Sequence, residues 1–120
     1  MVSNLLLIGV GGFIGAISRY FFINELKKIM ASSIPIPTMI VNIIGSFLLG
    51  LIVGMGVNVN AYFILAIGFL GAFTTFSTFA VEAVTLCREK KKGGFFFYIL
   101  GTFLGGILFC FAGWKFGLYF

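Results

Sequence analysis

The chain has no histidine and only three acids, Glu25, Glu82 and Glu89. A transition-metal site and imidazole-based catalysis have almost no material to work with, because both need grouped His, Cys or carboxylate side chains. Two cysteines are present: Cys87 near the end of one apolar run and Cys110 deep in another. They form no disulfide framework and read as free thiols. Prolines are confined to Pro35 and Pro37. Charge is scarce at 9% of residues, and no soluble appendage is expected. The start, Met1-Val2-Ser3-Asn4, lacks the basic flank of a secretory signal and no clear cleavage site follows, so the first apolar run is expected to stay in the protein.

Apolar surface is what the chain has in excess. With 120 residues, 61% of them hydrophobic, and a mean hydropathy of +1.20, it carries more than a soluble domain of this size can bury. Turn and charged residues divide it into four runs, Leu5–Phe22, Ile34–Val57, Tyr62–Leu86 and Phe95–Trp114. Each is long enough to cross about 30 Å of hydrocarbon, which takes about 20 helical residues. The expectation is an all-α membrane protein: a single four-helix transmembrane domain over residues 1–120.

The net charge of +5 is distributed unevenly. Arg19, Lys27, Lys28, Arg88, Lys90, Lys91 and Lys92 fall in or beside the first and third connections, and only Lys115 belongs to the opposite end. Cytoplasmic loops of membrane proteins carry the excess of Lys and Arg, so both termini are expected outside the cytoplasm. The same distribution speaks for lipid headgroups and against nucleic acid as the partner of this charge. The first connection, Ile23 to Ser33, has the composition of a short interfacial amphipathic piece. Met55–Asn60 and Cys87–Gly94 read as tight turns.

Glycine recurs at four-residue spacing, as in Gly11 with Gly15, Ser46 with Gly50 and Gly54, and Gly101 with Gly105. Such small faces let helix backbones approach closely in lipid, where packing drives association. The run Gly9-Val10-Gly11-Gly12-Phe13-Ile14-Gly15 is no phosphate loop, since neither a preceding strand nor a following Lys-Ser/Thr pair accompanies it.

Polar residues inside the apolar runs are costly and need a reason. Thr74-Thr75-Phe76-Ser77-Thr78-Phe79 sets four hydroxyls and two aromatic rings at membrane depth, after the glycine-containing run Gly68–Phe73. There a helix can open its backbone and turn carbonyls toward an ion. Thr38, Asn42 and Ser46 form a stripe on the second run, as do Tyr98 and Thr102 on the fourth. In the third, Phe76 and Phe79 are expected on one face, and Thr75 and Thr78 likewise. Each hydroxyl taken alone is accounted for by back-bonding to the preceding turn, and Asn42 by helix pairing. Three such stripes together suggest a pore. Amide and hydroxyl donors, with no acid lining these stripes before Glu82, favour an anion, and the positive edges of Phe76 and Phe79 suit a small one. Arg19 either snorkels to the interface or draws anions into a vestibule, and Glu82 sits at the edge of the hydrocarbon.

Three blocks carry a family resemblance: Gly12-Phe13-Ile14-Gly15-Ala16-Ile17-Ser18-Arg19-Tyr20, Val41-Asn42-Ile43-Ile44-Gly45-Ser46-Phe47 and Gly71-Ala72-Phe73-Thr74-Thr75-Phe76-Ser77-Thr78-Phe79. Together they resemble the Fluc (CrcB) family of bacterial fluoride channels over essentially the whole chain. The resemblance implies an antiparallel dimer of four-helix subunits with a break in the third helix, two fluoride pores and a structural sodium ion between the subunits. By the same resemblance, fluoride leaves the cell passively through a multi-pass protein of the bacterial plasma membrane. Asn42, Phe76, Phe79, Tyr98 and Thr102 match pore positions, Thr75, Ser77 and Thr78 the hydroxyl-bearing break, and Arg19 the vestibule arginine. Carbonyls of Gly71 and Thr74 match the sodium ligands.

The charge bias departs from a subunit that inserts in both orientations, and predicts pairing with an oppositely biased paralogue. A small multidrug-resistance transporter is the rival reading. It requires a carboxylate in the first helix, and Met1–Phe22 has none. A non-transporting assembly protein needs only the glycine faces and leaves the polar stripes without a role.

Overall fold

The computed structural model describes residues 2–30 and 34–120. Four helical spans run up, down, up and down, each long and apolar enough to cross a membrane. The first is α1 (Val2–Ile29) and the second α2 (Ile36–Met55). The third, Val59–Arg88, is composite: α3 (Val59–Tyr62), a π-helical stretch (Phe63–Leu70), α4 (Gly71–Phe73) and α5 (Phe76–Arg88). The fourth is α6 (Lys92–Gly117).

Helix α1 is longer than the apolar run that predicts it. Residues 23–29 continue it instead of forming a separate interfacial piece, because Glu25, Leu26, Lys27 and Lys28 are good helix formers. Lys28 also pairs with Glu25 at 3.2 Å, one turn apart. Ile23 and Leu26 are held against the core built on Val41, Leu70 and Phe73. The rest of the expected first connection, residues 31–33, lies outside the described residues. Pro35 and Pro37 flank the start of α2, where a missing N–H costs nothing. At the far end Gly56 ends α2 with φ +63°, a left-handed conformation that favours glycine, and Asn58 caps α3 by accepting from the Ala61 N–H at 2.8 Å.

Glycine faces bring the spans together. A Cβ at Gly15 of α1 would land on the Phe69 carbonyl, and one at Gly113 of α6 on the Phe47 carbonyl of α2. α1 thus lies against the π-helical stretch and α2 runs along α6, each at backbone contact. Gly101 and Gly105 instead meet the side chains of Met39 and Ile43.

Outward faces are rich in exposed apolar side chains such as Phe13, Ile17, Leu104 and Ile107, as solvation by lipid requires. Buried side chains gather into two small clusters, one of Phe79, Ala83, Leu86 and Tyr98, the other of Val41, Leu70 and Phe73. Between them passes the stretch of the third span where the polar residues lie.

Candidate functional site

Two residues interrupt the helical dihedrals of the third span. Thr74 has φ −79°, ψ 158° and Thr75 φ −143°, ψ 114°, both extended. An extended pair at membrane depth strands backbone groups that must find partners, and three side chains supply them. Thr75 accepts the Thr78 N–H on its own hydroxyl at 3.3 Å, capping α5. Asn42 of α2 takes both sides of residue 75: its amide nitrogen donates to the Thr75 carbonyl at 3.0 Å and its oxygen accepts the Thr75 N–H at 2.9 Å. Arg19 of α1 donates from Nη1 to the Ala72 carbonyl at 2.9 Å. Thr74 donates its hydroxyl to the Leu70 carbonyl at 2.9 Å, the same carbonyl that accepts the last helical N–H of this stretch.

A groove of about 320 Å³ opens beside this pair, lined by Asn42, Ser46, Gly71, Thr74, Thr75, Phe76, Phe79, Thr102 and Phe103 among others. The ring of Phe79 is 6% exposed and packs at 5.1 Å from Tyr98 and edge-on at 5.7 Å from Phe103. Phe76, 6.0 Å from Phe79, is 74% exposed and forms the outer lip. The buried hydroxyl oxygen of Thr102 has no hydrogen-bond partner among the described residues. Asn42 has two amide hydrogens and the Thr75 carbonyl takes one, so a second N–H remains. Ser46 gives its hydrogen to the Asn42 carbonyl at 2.9 Å. Not every polar side chain of the stripes therefore has a hydrogen to give: Thr102 and Asn42 each keep one, while Ser46 and Thr74 have given theirs to backbone carbonyls.

A second groove, of about 720 Å³, shares Asn42, Ser46, Thr102 and Phe103 with the first and continues toward Tyr62, Cys110 and Trp114. On the other side Thr38, on the same stripe of α2 as Asn42, lines a cavity of about 260 Å³ with Glu82 and Lys27. Tyr98, fully buried, donates its hydroxyl to Glu82 at 3.3 Å. The stripe Thr38–Asn42–Ser46 thus runs from the Glu82 cavity into the two connected grooves.

Asn42, Thr75, Phe76, Phe79 and Thr102 meet at one groove, and Tyr98 and Glu82 meet behind it. Ser77 and Thr78 are exposed and outside the groove. The expected shared face of Thr75 and Thr78 is not found: Thr75 is extended and buried while Thr78 is helical and exposed, since Thr75 acts as the cap of α5 and not as part of it. Gly71 lies open, with no atom within 4 Å of where a Cβ would be. Arg19 is turned to the third span. Sequence reasoning did not anticipate Lys27 and Glu82 lining one cavity, nor the Ala72 carbonyl as the partner of Arg19, and no spacing signal marks either.

The profile of the family described as CrcB-like protein, Camphor Resistance (CrcB), matches residues 6–114. The chain is 48% identical over 112 residues to a Bacillus thuringiensis subsp. konkukian protein named fluoride-specific ion channel FluC 2, covering 93% of this chain and 95% of that one. A Lactobacillus acidophilus protein of the same name is 42% identical, with coverage of 98% and 99%. A Campylobacter jejuni protein named fluoride-specific ion channel FluC is 41% identical, with coverage of 95% and 94%. Its four membrane-length helices and these near full-length matches make this chain a multi-pass membrane protein that belongs to the CrcB-like family.

Proposed function

We propose that the chain is a subunit of a fluoride-selective channel that lets cytoplasmic fluoride leave down its electrochemical gradient. One observation carries this reading: Asn42, Thr102 and the rings of Phe76 and Phe79 converge on a single groove, in a chain whose relatives are named fluoride-specific ion channels. A small, strongly hydrated anion gives up its water only to well-placed donors. The second amide hydrogen of Asn42 and the unpartnered Thr102 hydroxyl are such donors, and a phenyl edge supplies positive potential in a site too dry for charged groups. Thr75 fixes the groove wall, Tyr98 holds Glu82 aside, and Ser77 and Thr78 present hydroxyls on the exposed face of α5.

The exposure of Phe76 and Gly71 supports a unit completed by a second, antiparallel subunit, whose surface would close the groove into a pore. Thr74 and Thr75 then constitute the break of the third helix. The carbonyls of Gly71 and Thr74 are hard oxygen donors suited to a sodium ion shared between subunits, and the open space at Gly71 leaves room for it. Such an ion would neutralise converging carbonyl dipoles and hold the subunits together.

Seven of eight basic residues sit at one end, which supports insertion mainly one way, termini outside the cytoplasm, and an oppositely biased paralogue as the partner. Expression in bacterial cells lacking their own fluoride export, alone and with such a paralogue, tests the function. Growth in fluoride medium is expected under at least one condition. No rescue under either, with the protein present in the membrane, contradicts it. Reporter fusions at the termini giving equal signals for both orientations would remove the case for a paralogue.

A further inference from the structure

We infer that Asn42 is the positioning residue of the cation site as well as a wall of the groove. The inference rests on the sodium reading above, and its starting point is the fate of four backbone groups. In a continuous α-helix the Thr75 N–H would bond to the Gly71 carbonyl and the Thr78 N–H to the Thr74 carbonyl, each four residues back. Both donors are diverted here: Thr75 N–H to Asn42 Oδ1 at 2.9 Å and Thr78 N–H to Thr75 Oγ1 at 3.3 Å. The two carbonyls released by these diversions are Gly71 and Thr74.

Asn42 acts on both carbonyls through one hydrogen bond. By accepting the Thr75 N–H it removes the donor that would close the helix onto Gly71. That N–H also belongs to the same planar peptide as the Thr74 carbonyl, and no cis peptide occurs among the described residues. In a trans peptide C=O and N–H point in opposite directions, so an N–H aimed at α2 aims the Thr74 carbonyl away from α2. The second bond, from Asn42 Nδ2 to the Thr75 carbonyl at 3.0 Å, fixes the rotation of the residue from its other side. The side-chain amide thus stands in for a neighbouring strand against residue 75.

Arg19 has a different part. It satisfies the Ala72 carbonyl, between the two released ones, and so withdraws that oxygen from any cation. The Ala72 carbonyl is thus occupied from α1, while those of Gly71 and Thr74 are released by Asn42 of α2 and by the Thr75 cap. Pore and cation site share Asn42, so loss of its acceptor is felt at both.

The test is the thermal unfolding of the full-length protein, with its partner subunit where two chains are required, as sodium replaces choline at constant ionic strength. The parent is expected to gain stability with a definite sodium midpoint. Asn42→Leu, which cannot accept the Thr75 N–H, is expected to raise that midpoint about tenfold or more, as the loss of a buried hydrogen bond implies. Asn42→Ser, whose hydroxyl stops short of the Thr75 N–H, carries the same expectation if the leucine variant does not assemble. Asn42→Asp keeps the acceptor for the Thr75 N–H, the bond on which the inference turns, gives up the donor to the Thr75 carbonyl, and places a negative charge on the groove. It is expected to hold the midpoint within about threefold of the parent while fluoride flux collapses. A parent midpoint in the leucine or serine variant, or an aspartate midpoint shifted as far as leucine's, overturns the inference and leaves the sodium reading intact. A parent indifferent to sodium overturns the sodium reading and the inference with it.

Discussion

Arg19 and Ala72 meet at 2.9 Å, the guanidinium of α1 bonded to a carbonyl that the extended Thr74 and Thr75 have deprived of its helical donor. A charged side chain in an apolar span is thereby tied to backbone in the third span, instead of reaching freely for the interface. Arg19→Met is expected to destabilise the protein by about 1–3 kcal/mol, since it leaves that carbonyl unpaired in hydrocarbon. Unfolding in mixed micelles measures the cost. A cost near zero would return Arg19 to a purely interfacial role.

The two phenylalanines are expected to separate by their burial. Phe76→Ile leaves the subunit as stable as before, because its ring is 74% exposed, but reduces fluoride flux sharply through loss of the positive ring edge. Phe79→Ile reduces flux and also destabilises by about 1–3 kcal/mol, since it loses the contacts to Tyr98 and Phe103. Flux and unfolding measured on the same preparations check both. Unchanged flux in both variants removes the ring-edge role.

Much of the fold was legible as pattern. Four apolar runs correspond to four spans, and the tight turn read at Met55–Asn60 falls where α2 ends. Residues 23–29 misled because their charges suggested a separate surface piece, whereas the helix simply continues through good helix formers. The π-helical Phe63–Leu70, where Gly68 lies against the backbone of α1, has no signal in periodicity. In the site, spacing revealed the stripe of Asn42 and the pairing of Phe76 with Phe79. It could not reveal that Asn42 faces Thr75, 33 residues away, or that Thr75 leaves the helix to cap it. Periodicity reports which face a side chain shares on its own helix; partners on another helix follow from packing.

Glycine substitutions are expected to divide by what a Cβ would meet. Gly15→Ala and Gly113→Ala place a methyl on the carbonyls of Phe69 and Phe47 and should force α1 from the third span and α6 from α2. Gly9→Ala, with nothing within 4 Å, should be neutral. Yield of folded protein by size exclusion and its unfolding midpoint distinguish the two groups. Similar behaviour of all three would contradict the backbone contacts assigned here.

Fluoride efflux from liposomes holding the purified protein, read with a fluoride electrode while chloride efflux is followed in parallel, tests the central claim most directly. Rapid fluoride release without chloride release is the predicted result, from the protein alone or after co-reconstitution with an oppositely biased paralogue. Release of neither ion under both conditions, or equal release of both ions, would contradict it.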